Sequence, residues 1–120
     1  MNVTVKEAID ASESLKKFMK LKHPVATSFK LSRILNVIRR EVDLFDEKKN
    51  ELIKRLGEKD NSGEMIRVTN ENMKEYIDEL NSLLEVEINI DVDQISENDL
   101  SPELEVEPEL LSDISKIVFK

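Results

Sequence analysis

Ser28–Leu56, SFKLSRILNVIRREVDLFDEKKNELIKRL, decides how this chain can fold. Leu31, Ile34, Leu35, Ile38, Val42, Phe45, Leu52, Ile53 and Leu56 recur mostly in steps of three, four and seven, along one side of a 3.6-residue helix. No Pro or Gly interrupts the run before Gly57. At about 1.5 Å per residue such a helix is roughly 43 Å long. A compact domain of this size is only about 35 Å across. The spacing therefore predicts an elongated molecule, or a helix with one end projecting.

Upstream, Thr4-Val5-Lys6-Glu7 has capping-box spacing and opens a first helix with Ala8, Ala11, Leu15, Phe18 and Met19 as its apolar stripe. Lys16, Lys17, Lys20 and Lys22 gather near its end, where cations suit the helix dipole. His23-Pro24 stops it, because the residue before proline is pushed out of the α region. Thr27 or Ser28 then caps the long helix, so the first two helices are expected to pair.

Downstream, Gly57 suits the position just past the helix end. A polar loop with a turn at Asn61-Ser62-Gly63 follows. Met65–Val68 reads as a short strand, and Thr69 caps a third helix through Leu84 with Met73, Tyr76, Ile77, Leu80, Leu83 and Leu84 on its apolar side. Val86, Ile88, Ile90 and Val92 alternate strictly with Glu87, Asn89 and Asp91, the clearest strand pattern in the chain. The expectation is that this strand pairs with 65–68 around the third helix. Ser101-Pro102-Glu103 resembles a helix start, Leu104–Glu107 a short edge strand, and Pro108–Val118 a last helix. The fold class is thus α+β, mostly α. An N-terminal helix pair with one long central helix precedes a small two-stranded sheet with a helix and an acidic C-terminal segment ending in a short helix. Residues 1–93 form the expected domain, and 94–120 a partly ordered acidic segment.

Composition removes whole classes of chemistry. With no Cys there is neither disulfide, thiolate zinc site nor cysteine nucleophile. The one histidine, His23, sits beside a proline and reads as a helix-end residue rather than a general base. Asn89, Asp91 and Asp93 have the spacing of the first calcium-loop ligands, but Gln94 and Leu100 stand where the turn glycine and bidentate glutamate are needed. Asp60–Glu64 reads as a turn, and neither phosphate-binding glycine motif occurs. No apolar run is long enough for a membrane span, and Met-Asn-Val-Thr is not a signal peptide. No catalytic residue, cofactor or metal is expected, and the location expected by default is the cytoplasm.

The net charge of −8 conceals a gradient. Ser14–Arg40 carries eight basic residues and no acid; Glu85–Ser115 carries eleven acids and no base. Such segments attract each other or recruit separate partners. What remains is association. Helix-in-groove docking would use Leu31, Ile34, Leu35, Ile38, Arg39 and Arg40, or Phe45 and Leu52 further along. DNA binding through residues 16–40 ranks last, for want of aromatics beyond Phe18 and Phe29.

Leu21-Lys22-His23-Pro24-Val25, Phe29-Lys30-Leu31, Phe45–Ile53, Gly57-Glu58, Glu71-Asn72-Met73 and Leu83–Ile88 together resemble a family of small proteins of unassigned function. These proteins are encoded by phages and prophages of low-GC Gram-positive bacteria. The resemblance covers about 70 residues and excludes the acidic C-terminal part. It implies phage origin, an α+β fold and action in the host cytoplasm. In size and charge the chain is also similar to phage anti-defence proteins that bind a sirtuin-type, NAD-depleting defence enzyme. That similarity implies a non-enzymatic inhibitor of a host defence enzyme. The alternative is an accessory or chaperone-like protein of phage tail or head assembly.

Overall fold

The computed structural model describes residues 1–59, 63 and 66–120. The expected turn residues Asn61 and Ser62, most of the Asp60–Glu64 loop and the first residue of the expected strand, Met65, lie outside the described residues.

The chain is α+β and mostly helical, and its described residues form four helices and two small antiparallel ladders. In order it forms β1 (Asn2–Thr4), α1 (Val5–Met19), α2 (Val25–Leu56), β2 (Gly57–Lys59), β3 (Ile66–Val68), α3 (Met73–Leu84), β4 (Glu87–Asn89) and α4 (Pro108–Val118). A single 3₁₀ turn at Glu97–Asp99 lies between β4 and α4.

The capping box forms as the sequence predicts. The Glu7 amide donates to Thr4 Oγ1 at 3.1 Å, and the Thr4 amide donates to Glu7 Oε1 at 3.0 Å. The carboxyl of Glu7 is held below the usual carboxylate range, first by the Thr4 amide and then by Lys116, 3.1 Å away on α4. Val5, Ala8, Ala11, Leu15 and Phe18 face inward, and the small residues among them let neighbouring helices approach closely. Ser14 donates to Asp113 Oδ2 at 2.6 Å, a polar link between α1 and α4.

α2 begins at Val25, two or three residues before the expected cap at Thr27 or Ser28. Pro24 fixes φ at −56° and its carbonyl accepts from the Ser28 amide at 3.0 Å, so proline geometry starts the helix without a side-chain cap. Thr27 is buried and donates instead to the Asp99 carbonyl. Thirty-two residues make α2 about 48 Å long. The molecule measures 54 × 30 × 23 Å, elongated as the helix length requires.

Gly57 does not take the left-handed conformation expected of a residue past a helix end. Its φ is −105° and its ψ 166°, so it opens β2 directly. Glycine is needed there for space. A Cβ would fall 2.5 Å from the Ile53 carbonyl oxygen and 2.8 Å from that of Arg67. Thr69 starts only a turn; α3 begins four residues later, after Asn72. The Asn72 side-chain amide donates to the Leu56 carbonyl at 2.9 Å, satisfying a group left open where α2 ends.

The strand pairing differs from the sequence expectation. β3 pairs with β2, Gly57 opposite Val68, in a local hairpin. β4 pairs with β1, Val3 opposite Ile88, and the Met1 ammonium donates to the Ile90 carbonyl at 3.0 Å. Strands of three residues carry no readable periodicity, which hid both β1 and β2. Leu104–Glu107 forms no strand and Ser101–Glu103 no helix; Leu104 closes a turn onto the Ser101 carbonyl at 3.1 Å.

The core joins α1, the first half of α2, β1, Ile90, Ile95 and α4, with Phe18, Leu31, Ile34, Ile38, Ile114 and Ile117 at its centre. It runs straight through the boundary expected at Asp93. The Ile95 amide donates to the Val118 carbonyl at 2.8 Å and the Lys120 amide to Ile95 at 3.0 Å, tying the acidic segment to the end of α4.

Candidate protein-docking groove

The core stripe of α2 leaves the opposite side of its first turns uncovered. Val25 and Phe29, four residues apart, are 88% and 63% exposed. Together with Ala26, Lys30, Arg33 and Val37 they form one wall of an open groove of 970 Å³. The other wall is Asp91-Val92-Asp93-Gln94, in the chain beyond β4, and Lys120 also lines the space.

Local contacts hold the α2 wall in place. The Arg33 guanidinium lies 6.0 Å from the centre of the Phe29 ring, within cation–π range. Lys30 is 3.1 Å from Asp99 on the 3₁₀ turn. The Asp99 carboxyl sits below its usual range because the Ser96 amide donates to it and Lys30 neighbours it. Gln94 anchors the opposite wall by donating from Nε2 to the Lys116 and Ile117 carbonyls, each at 3.2 Å. The groove therefore combines fixed walls, exposed apolar side chains and charges of both signs. Among the described residues no group of His, Asp and Glu side chains is arranged to hold a metal ion.

The residues the sequence nominates for docking divide by depth. Leu31, Ile34, Leu35, Ile38 and Leu52 are buried within the fold, and Phe45 is half-buried. Arg39 and Arg40 are exposed on α2. The groove residues Val25 and Phe29 escaped selection because they lie off the dominant stripe. Their signal was nevertheless present: two apolar residues one helical turn apart, on the side facing away from Leu31 and Leu35. Leu44, seven residues past Val37 on that same side, is 51% exposed and continues the surface. Nothing in the sequence placed Asp91–Gln94 across from it.

His23 packs against one aromatic ring. It lies 4.7 Å from Phe18 and donates from Nε2 to the Phe18 carbonyl at 2.8 Å, while its buried Nδ1 has no partner among the described residues. This is packing at a helix end, as the sequence suggested. Among the described residues no helix is long and apolar enough to cross a membrane.

Comparison with family models, with curated proteins and with solved structures returns no match to this chain.

Proposed function

We propose that this protein works by docking on a larger protein, without catalysis of its own, through the Val25–Phe29 groove and the side of α2 that continues to Leu44. The observation that carries the docking reading is the large exposure of Val25 and Phe29 at the mouth of an open groove with fixed walls. The similarity in size, charge and phage origin to phage anti-defence proteins supplies the partner class: a host anti-phage enzyme of the NAD-depleting, sirtuin type, inhibited in the host cytoplasm. DNA binding is the less favoured reading, because Lys30 is paired with Asp99 and Arg33 is stacked on Phe29.

Coexpression with such an enzyme, followed by copurification and an NAD-consumption assay, tests the proposal. The expected result is a stoichiometric complex and preserved NAD, both lost with Phe29→Asp. Unaltered NAD consumption with no complex overturns the inhibitor reading. Recovery of a phage tail or head protein in its place transfers the same groove to assembly. Phe29 is exposed, so Phe29→Asp leaves the fold intact and the comparison interpretable.

A further inference from the structure

We propose that the groove takes its partner as an extended, basic strand added along Asp91–Gln94. The proposal rests on the docking reading above and specifies how that same groove recognises a partner.

The backbone carries the argument. The Ile90 amide is bonded to Met1 at 2.9 Å, and the Ile95 amide to Val118 at 2.8 Å. Between these fixed points lie Asp91, Val92, Asp93 and Gln94, outside any helix or ladder, with exposed and half-buried residues alternating along them. None of the four makes a backbone hydrogen bond within the described residues. All four line the groove. A run with open amides and carbonyls, pinned at both ends beside apolar surface, can serve as a template for another strand. Because it is already ordered, a partner strand does not have to order it on binding.

Charge selects the strand. Asp91 and Asp93 are exposed while Val92 between them is half-buried, so the two carboxylates share one side of the run. Neither has an ion-pair partner among the described residues. They belong to the Glu85–Ser115 stretch that holds no base. On the facing wall, Lys30 and Arg33 are already engaged with Asp99 and Phe29. The complement is a strand with Lys or Arg at alternate positions opposite Asp91 and Asp93. The residues between them are apolar and meet Val25 and Phe29.

The test uses the full chain and fluorescent peptides of about seven residues, a common strand length. One alternates Lys with Val, one alternates Glu with Val, and one is the Lys-Val peptide with alternate amides N-methylated. Anisotropy measures binding, and hydrogen exchange follows the amides of residues 91–94. The expected result is binding of the Lys-Val peptide, none of the Glu-Val peptide, and about tenfold weaker binding after N-methylation. Exchange at residues 91–94 slows in the complex. Asp91→Lys/Asp93→Lys reverses the charge preference, with circular dichroism verifying the fold. Equal binding of the N-methylated peptide, unchanged exchange at 91–94, or a dimer that protects the groove in sedimentation overturns the strand. If the Lys-Val peptide fails while Phe29→Asp still abolishes the protein complex, the strand is wrong and the docking reading stands.

Discussion

The two halves of α2 are one helix with two fates. From Thr27 to Ile38 its stripe is buried in the shared core, chiefly against α1. From Asp43 to Glu51 no residue of it is fully buried, and Leu44 is 51% exposed. Burial resumes at Leu52 and Leu56, beside the β2–β3 hairpin. Even so, α3 packs there without a single buried residue, and Ile77 is 46% exposed. The difference teaches that a strong apolar stripe specifies a helix but not what will cover it. The proximal half is a core element. The distal half is a beam that meets the α3 region through Leu52, Leu56 and the Asn72–Leu56 hydrogen bond, with Arg55 pairing with both Glu75 and Glu79 at the surface.

Matched substitutions break or sharpen that contrast. The largest effect is expected from Leu35→Asp, which places a carboxylate among buried side chains and unfolds the protein, whereas Leu44→Asp leaves the fold intact. Far-ultraviolet circular dichroism of the two variants decides, and equal helicity would erase the distinction. Next comes truncation. Phe18→Ala, at a fully buried ring 6.2 Å from Phe119, is expected to cost about 4 kcal/mol in urea denaturation. Ile77→Ala, on the half-covered face of α3, is expected to cost under about 1 kcal/mol. Gly57→Ala falls between these, at about 2 kcal/mol, because its Cβ would press on backbone oxygens that cannot step aside. Its damage should be confined to amide exchange in the distal hairpin.

The smallest effect is electrostatic, and it belongs to the proximal half. In the fold Glu7 titrates below its ordinary value, owing to the Thr4 amide and Lys116. Its contribution is therefore present above the ordinary carboxylate range and is lost as pH falls through that range toward the lowered folded value. Glu7→Gln should flatten this acid limb slightly, a modest change because the side chain is 42% exposed. Melting temperatures measured down the acid range check it.

The helices were legible wherever period and punctuation agreed. Thr4 and Glu7 announced the start of α1, and the stripe from Leu31 to Ile38 named the core side of α2, whereas α1 ends at Met19, four residues before the expected stop at His23-Pro24. Leu110, Leu111, Ile114, Ile117 and Val118 marked α4, of which the last three are buried. Strand pairing was not legible. Val86–Val92 advertised a strand, but its partner Asn2–Thr4 is too short to show a pattern and lies at the other end of the sequence. The burial of most residues nominated for docking has a related reason. Periodicity singles out the most apolar side of a helix, and in a folded chain that side is the first to be buried. Leu31 and Ile34 therefore went inward, and the surface was left to Val25 and Phe29.

By itself the sequence determined the helices, the length of α2 and hence the elongated shape, and the absence of cysteine chemistry. These follow from local spacing, backbone restriction at proline and residue inventory, which need no distant contact. Only the tertiary structure decided that the acidic segment closes the core through Ile95, Ile114 and Ile117, that β4 joins the N-terminal strand, and that Asp91–Gln94 faces Val25 and Phe29. Those arrangements depend on which apolar surfaces meet after the chain has folded back on itself, and apolar attraction has no direction that a local pattern could encode.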